Sequence, residues 1–128
     1  MNIAILSIGD ELMNGFTVDT NSAYIAKKLS EFDNLEISSK ITSNDNLDDI
    51  ISNIDYLIAK QYKYIFITGG LGPTHDDITK KALSKYFKCK LILNEPYYLR
   101  LKAFLKKKKL KNSKYLKTQS EILEISKP

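Results

Sequence analysis

Short apolar runs alternate along the chain with longer stretches in which apolar residues recur every three or four positions. Three runs predict strands, at 3–9, 35–43 and 64–68. The first has the nearly continuous apolar pattern of a strand buried on both faces, and the third is also predicted to be buried. Helical periodicity predicts three helices, over about 19–32, 46–60 and 78–87. Pro96 suits the first turn of a fourth helix, 89–93 is a short strand or an extended link, and 112–128 stays undecided.

Each predicted helix has one apolar face, which we expect to pack on the core. In the fourth helix the lysines are expected to point outward. The residues expected on the four apolar faces are Ile25, Ala26, Leu29 and Phe32; Ile50, Ile51, Ile54, Leu57 and Ile58; Ile78, Ala82, Leu83 and Phe87; and Tyr97, Leu101 and Leu105.

Strands that alternate with helices predict a single α/β domain over 1–128, with a parallel sheet and helices on both of its faces. Ligands of such open sheets bind beyond the carboxyl ends of the strands. Two polar loops with glycines, 9–15 and 68–77, leave the carboxyl ends of the first and third strands. If these strands are neighbours, both loops face one crevice.

The segment "TGGLGPTHDD" (68–77) has the composition of a phosphate-binding loop. Its glycines let a ligand approach the backbone, and its N–H groups and threonine hydroxyls suit a phosphate. It matches neither a Walker loop nor the G-x-G-x-x-G motif, and a plain strand-to-helix turn is the alternative. The predicted phosphate-binding residues are Gly9, Thr68, Gly69, Gly70, Leu71, Gly72, Pro73 and Thr74.

Four carboxylates accompany these two loops: Asp10, Glu11, Asp76 and Asp77. Asp76 or Asp77 can cap the following helix, but that role accounts for only one of them. Four acids would repel a phosphate unless a cation intervened, and Mg²⁺ is held by one or two carboxylates together with phosphate oxygens. We therefore predict that all four hold a divalent metal (Mg²⁺, Mn²⁺ or Co²⁺), which polarises phosphorus–oxygen bonds or activates water.

Two further groups of polar residues have less specific patterns. Asp19, Thr20 and Asn21 fit a helix amino-terminus as well as they fit contacts to a ribose or a pterin. His75, the single histidine, is expected to be an exposed loop residue rather than a ligand.

Charge and cysteine content indicate which partners and which cellular compartment suit the chain. The net charge is +5, and the acid-free basic stretch 100–117 is better explained as a solvated helix face than as a nucleic-acid site. Cys89 is the only cysteine, so no internal disulfide forms, which suits a cytoplasmic protein. No apolar run is long enough to span a membrane, and the amino terminus does not resemble a secretory signal.

The motifs "SIGDELMNGFTVDTNSAYIAKKL" and "ITGGLGPTHDDITKKAL" resemble the amino-terminal domain of the competence/damage-inducible protein CinA. That domain belongs to the molybdopterin-binding superfamily, with the MogA and MoaB proteins and the gephyrin G domain. The resemblance implies a three-layer α/β/α sandwich, metal-dependent hydrolysis of ADP-ribose-type pyrophosphates, and assembly into dimers or trimers. It also implies that Asp76 and Asp77 are catalytic residues that activate water, beside their role in metal binding. Leu71 stands where the adenylylating relatives have threonine, which argues against a dedicated adenylyltransferase.

The resemblance also implies that the domain is truncated at its carboxyl end. Relatives continue past "EILEISKP" with an Asn-Pro-x-Gly-Thr-Ala-Pro-Gly loop and a closing strand, so we expect a fragment, a decayed reading frame or a reduced module. Our preferred function is a metal-dependent nucleotide pyrophosphatase. The alternatives are molybdopterin binding or adenylylation in molybdenum-cofactor synthesis, and a catalytically silent ligand-binding or interaction module.

Overall fold

The computed structural model describes residues 1–75, 77–110 and 115–128. Strands and helices alternate over most of this chain. Their bounds are β1 (Asn2–Ile8), α1 (Asp10–Met13), α2 (Thr20–Leu29), β2 (Glu36–Ser43), α3 (Leu47–Ala59), β3 (Tyr64–Thr68), α4 (Thr79–Phe87), β4 (Leu91–Leu93), α5 (Glu95–Lys107), α6 (Leu116–Gln119) and β5 (Glu121–Leu123).

The main sheet has the order β2-β1-β3, and both pairings are parallel. β1 is therefore the central strand, and its carboxyl end lies between those of β2 and β3. The first and third strands are therefore neighbours, which is the condition under which both loops were expected to face one crevice. Their carboxyl ends meet at one edge because parallel strands run in the same direction.

Helices cover both faces of this sheet, as the three-layer architecture requires. Ala4, Leu6 and Ile8 of β1 pack with residues of α3 and α4 in the main core. Ile3 and Ile5 point to the opposite face, where α2 lies against β1 and β2, and both are fully buried. The nearly continuous apolar run of β1 is explained by this burial on both sides.

The prediction of burial is wrong for several of the expected core residues. Four large side chains that were expected to be buried are 40–59% exposed: Phe32, Ile58, Phe87 and Tyr97. Phe32 is exposed because α2 ends at Leu29, before it reaches this residue. Ile58 is exposed because it lies at the edge of an apolar face whose centre is formed by Ile54 and Leu57. No residue of α5 is fully buried, and its lysines do point outward.

The carboxyl-terminal part, whose structure the sequence left undecided, forms a second small sheet. β4 and β5 pair antiparallel, so residues 89–93 contain a strand rather than only a link. The start of the undecided stretch, 112–114, lies outside the described residues. No helix in the described ranges is both long and apolar enough to cross a membrane.

Lys80 of α4 joins this small sheet to the rest of the domain. Its Nζ donates hydrogen bonds to the carbonyl oxygens of Thr118 (2.7 Å) and Glu121 (3.0 Å), at the end of α6 and the start of β5. Burial lowers the pKa of Lys80, and the nearby charge of Glu121 opposes that change. A partly buried ammonium group thus ties α4 to the end of α6 and the start of β5.

We expect Lys80→Met to lower the free energy of unfolding by about 1–2 kcal/mol, because it removes charged hydrogen bonds and leaves the carbonyls without this donor. Urea unfolding measures the loss, and hydrogen exchange should show faster exchange at residues 116–123. Lys81→Met is the control, since Lys81 is an exposed neighbour on the same helix. Equal losses in the two variants would contradict the role given to Lys80.

Candidate functional site

The glycine loop after β3 lies directly against the end of β1. Gly69 has φ +90°, and a Cβ at this position would overlap the carbonyl oxygen of Ile8. Gly70 has φ +58°, and a Cβ there would overlap the Thr79 hydroxyl and lie 3.3 Å from Asp45 Oδ1. Only glycine allows both the positive φ and this close approach. The glycine loop after β3 therefore lies against the carboxyl end of β1 and beside Asp45, which agrees with the expectation that the loops after the first and third strands come together.

Asp10 and Asp45 form a reciprocal pair between two loops. The Asp10 N–H donates to Asp45 Oδ2 at 3.1 Å, and the Asp45 N–H donates to Asp10 Oδ1 at 3.0 Å. Gly9 adds a third link, because its N–H donates to the Ser43 carbonyl oxygen at 3.0 Å. The ends of β1 and β2 are thus tied together by two carboxylates, each of which accepts a backbone hydrogen bond.

Asp45 lies in a strongly negative environment. Burial raises its pKa above the usual value, and the hydrogen bond from the Asp10 N–H partly opposes this rise. Three neighbouring carboxylates raise the pKa further, those of Asp10, Glu11 and Asp77. Acids from the loops after β1, β2 and β3 therefore converge on one place, where Asp10, Glu11 and Asp77 disfavour the ionisation of Asp45.

Asp77 organises the glycine loop. Its Oδ1 accepts from the Gly72 N–H at 2.8 Å, and its Oδ2 accepts from the N–H (2.8 Å) and the hydroxyl (2.6 Å) of Thr74. The Thr74 hydroxyl is the main reason why the pKa of Asp77 is lowered; burial opposes it, and the backbone N–H groups of Thr74 and Gly72 lower it further. Asp77 is not the cap of α4, whose N-cap is Ile78.

This contact changes the interpretation of two predicted phosphate donors. The N–H groups of Gly72 and Thr74 point at the Asp77 carboxylate, so a phosphate at that spot would have to displace it. The Thr79 hydroxyl is engaged as well, donating to the Gly69 carbonyl oxygen at 2.8 Å. By contrast, the N–H groups of Gly70 and Leu71 make no hydrogen bond with the described residues.

Asp19 caps α2, as the structural interpretation of its segment predicts. Its Oδ1 accepts from the Ser22 N–H at 2.9 Å. Burial alone would raise the pKa of Asp19, but hydrogen bonds from Ser22 and the charge of Lys40 lower it. The Ser7 hydroxyl also lowers it, although it lies outside ordinary hydrogen-bonding geometry. Thr20 and Asn21 are exposed in the first turn of α2.

The other residues predicted for the site lie at different places in the two loops. Glu11 follows Asp10 in the short helix α1, and its carboxylate folds back so that a Cβ on Gly9 would lie 2.7 Å from it. Pro73 is half-buried in the loop, and His75 is exposed there, as expected. Asp76, predicted to be both catalytic and metal-binding, lies outside the described residues. Among the residues that are described, no three His, Cys, Asp or Glu side chains form a ready-made metal cage.

Sequence reasoning missed Asp45 and Thr79. Asp45 lies in the loop between β2 and α3, at the carboxyl end of the second strand, where the same edge rule applied to the first and third strands would have found it. It was overlooked because its loop contains no glycine. Thr79 sits at the start of α4, and its contact with Gly69 depends on a backbone turn that sequence spacing does not specify.

Comparison with known proteins agrees with this fold and with the two motifs. The family described as "Probable molybdopterin binding domain" matches residues 4–123. A "CinA-like protein" of Fusobacterium nucleatum is 44% identical over 95 residues, which are 74% of this chain and 23% of that protein. The chain thus spans about a quarter of the length of this relative.

Solved structures give the same architecture. The protein CinA from Thermoplasma acidophilum, described as of unknown function, superposes with a TM-score of 0.80 at 24% identity, over 96% of this chain and 70% of that one. The molybdopterin biosynthesis enzyme MoaB from Thermus thermophilus superposes with a TM-score of 0.64 at 20% identity, over 78% of this chain and 62% of that one. At these identities the likeness is one of fold.

Proposed function

The chain belongs to the molybdopterin-binding domain family, in a CinA-like form, and from this premise we propose that it hydrolyses the phosphoanhydride bond of a nucleotide diphosphate such as ADP-ribose with a divalent metal. The observation that carries the proposal is the convergence of Asp10, Asp45 and Asp77 beside the glycine loop. Acids gathered next to backbone N–H donors suit a substrate whose negative charge is shared with a cation.

The carboxylates fit a metal that is bound together with its substrate. Mg²⁺ needs only one or two protein carboxylates, with phosphate oxygens and water completing its coordination, so a three-ligand protein cage is not required. Asp10 and Asp45 are the pair we assign, since each offers a carboxylate at the meeting point of two strands. Glu11 and Asp76 remain further candidates. The metal would supply charge neutralisation and polarise the phosphorus–oxygen bonds.

The backbone supplies the other half of the site. Gly70 and Leu71 are the phosphate donors we favour, because the N–H groups of Gly72 and Thr74 are already bonded to Asp77. Positive φ at Gly70 turns the chain beside Asp45, which brings backbone donors and a carboxylate to the same place. Donors held in advance stabilise the charge that develops on phosphate during hydrolysis.

Asp77 has a different role in this proposal from the one predicted from its sequence position. Both of its oxygens accept hydrogen bonds, and its lowered pKa makes it a weak base. We assign it to positioning: it fixes the loop that presents Gly70 and Leu71 to the phosphate. Activation of water by Asp76 stays a prediction, outside the described residues.

The direct test is to incubate the pure protein with ADP-ribose and Mg²⁺, Mn²⁺ or Co²⁺ and to measure AMP by chromatography. The proposal expects AMP release that stops with EDTA and returns when metal is restored. Release that is indifferent to the chelator would contradict the metal. No release with any of the three metals would contradict hydrolysis of this substrate.

We expect Asp77→Asn to lower AMP release by about 10- to 50-fold, because the amide cannot accept all three hydrogen bonds and the loop shifts. Because the pKa of Asp77 is lowered in the folded protein, the stability that its carboxylate provides is present above the unfolded pKa and is lost as the pH falls through the folded pKa. Melting temperatures between pH 2 and 7 should therefore fall less steeply in acid for Asp77→Asn than for wild type.

Thr74→Val is the matched control for this prediction. It removes one hydrogen bond to Asp77 and leaves its charge. It should lower AMP release by only about two- to fivefold. A loss as large as that of Asp77→Asn would mean that the bond from the Thr74 hydroxyl, rather than the carboxylate with all its bonds, holds the loop. Wild-type activity in Asp77→Asn would remove Asp77 from the site.

A second candidate function is molybdopterin binding in molybdenum-cofactor synthesis. The family description and the fold shared with the Thermus MoaB enzyme favour it, and Leu71 in the glycine loop argues against an adenylylating form. Binding of molybdopterin without AMP release from ADP-ribose would support this candidate. If the protein neither bound nor hydrolysed either ligand, the remaining alternative would be the catalytically silent interaction module.

We also propose that the protein associates with itself, as a dimer or a trimer, in the cytoplasm. Among the described residues β3 pairs only with β1, so its outer edge is open, and Tyr64 and Phe66 on this strand are partly exposed. An open edge with exposed aromatic side chains favours pairing with another chain. Light scattering of the purified protein would show whether it is monomeric.

A further inference from the structure

A small polar cavity lies beside the converging acids. It has a volume of about 230 Å³ and opens between the last residue of α1, the carboxyl end of β2 and the first two turns of α3. Most of the residues that line it carry a hydroxyl or an amide group. The lining includes Met13, Thr42, Asn44, Asp49, Ser52 and Asn53. Asn44 immediately precedes Asp45, so the cavity adjoins the proposed diphosphate site.

The sequence of α3 explains why a polar cavity lies here. Asp49, Ser52 and Asn53 recur at i, i+3 and i+4, so they share one stripe of the helix. The core-facing stripe is formed instead by Ile50, Ile54 and Leu57. The polar stripe therefore faces away from the main core, toward the end of β2.

The lining selects the kind of group that can enter. Asp49 is the only charged residue in it, and no lysine or arginine lines the cavity, so a second phosphate would meet a carboxylate and no cation. Hydroxyls and amides donate and accept hydrogen bonds, which suits a neutral, hydroxylated ring. The volume is below that of a typical pocket for a whole small-molecule ligand, so the cavity holds part of one.

We propose that this cavity is a ribose subsite, in which the Asp49 carboxylate accepts hydrogen bonds from the two vicinal hydroxyls of the sugar. One Asp49 oxygen already receives a long contact of 3.4 Å from the Asn44 amide, which orients the carboxylate and is weak enough to be exchanged. Two hydroxyl donors match the two oxygens of one carboxylate. The inference rests on the proposed function only in placing the diphosphate at Asp10 and Asp45.

The test is equilibrium binding of ADP and of 2′,3′-dideoxy-ADP, measured by calorimetry on the full chain with Mg²⁺ present. Wild type is expected to bind ADP about tenfold more tightly, because the dideoxy sugar has no hydroxyls to donate to the Asp49 carboxylate. Asp49→Asn should remove most of this preference. Asp48→Asn should keep it, because Asp48 is in the same helical turn, has the same charge and does not line the cavity.

Each other outcome overturns the subsite. Equal binding of the two nucleotides by wild type, or no binding of either, would mean that no vicinal diol is recognised. If Asp49→Asn lowered the affinity for both nucleotides equally, Asp49 would act through the metal or the fold. AMP release from ADP-ribose is measured separately, so failure of the hydrolase proposal is distinguishable from failure of the subsite.

Discussion

Asp45→Asn is expected to lower metal-dependent AMP release by about 10²- to 10³-fold, the loss that follows removal of a charged group acting directly on the reacting centre. Asparagine keeps an oxygen that can accept from the Asp10 N–H, so the link between the two loops survives. The variant loses only the negative charge that the proposal assigns to the metal.

The same substitution should stabilise the metal-free fold at neutral pH. The pKa of Asp45 is raised in the folded protein, so its ionised form is disfavoured there; this penalty is present above the folded pKa and disappears as the pH falls through it. Removing the charge should raise the melting temperature by about 3 °C at pH 7. The folded protein is expected to become more stable when one of several mutually repelling acids is neutralised, because the repulsion is relieved.

Thermal melting with and without Mg²⁺ or Mn²⁺ gives a readout that does not depend on turnover. The metal should raise the melting temperature of wild type and have little effect on Asp45→Asn. Asp33→Asn is the control, because Asp33 is exposed and precedes β2 at the opposite end of the sheet. If Asp45→Asn kept wild-type activity and wild-type stabilisation by metal, Asp45 would have no part in the site.

Gly69→Ala is expected to lower the free energy of unfolding by about 3 kcal/mol or more. Its φ of +90° already disfavours any side chain, and the new Cβ would overlap the Ile8 carbonyl oxygen, a backbone atom of the central strand. Because backbone atoms cannot rotate away as a side chain does, the loop must move. That movement would also separate the glycine loop from Asp10 and Asp45.

Gly15→Ala isolates the effect of φ. Gly15 has φ +73°, and a Cβ there would meet nothing within 4 Å, so this variant should lose only about 1 kcal/mol. Urea unfolding of both variants at pH 7 gives the two values. Equal losses would show that the Ile8 carbonyl adjusts at little cost and that the contact between the loop and β1 is not tight.

The parallel sheet could be predicted because it follows from local pattern and general rules. The meeting of the loops after the first and third strands could be predicted only on the condition that these strands are neighbours, and the order β2-β1-β3 that fulfils it comes from the structure. An isoleucine-rich run such as 3–9 has few alternatives to a buried strand, and parallel strands place their carboxyl ends together. Side-chain burial at the ends of helices was less predictable. Phe32 and Phe87 continue the apolar period of their helices, yet about half of each side chain stays exposed.

The chemistry of the site was only partly predictable for a similar reason. Carboxylates next to glycines could be found in the sequence, whereas the reciprocal bonds of Asp10 and Asp45 join residues 35 positions apart. The bonds of Asp77 to Gly72 and Thr74 depend on how one loop folds back on itself. No spacing rule distinguishes an aspartate that holds its own loop from one that binds a ligand.

The sequence by itself determined the strand-helix alternation, the two glycine-containing loops and the motifs that place the chain in its family. These properties are local, because hydrophobic period and glycine content act within a few residues. Only the tertiary structure decided that Asp45 joins the acids and that Asp77 holds its own loop. It alone also brought α1, β2 and α3 together around the small polar cavity. Contacts between distant segments depend on how whole strands and helices pack, and that information is spread over the entire chain.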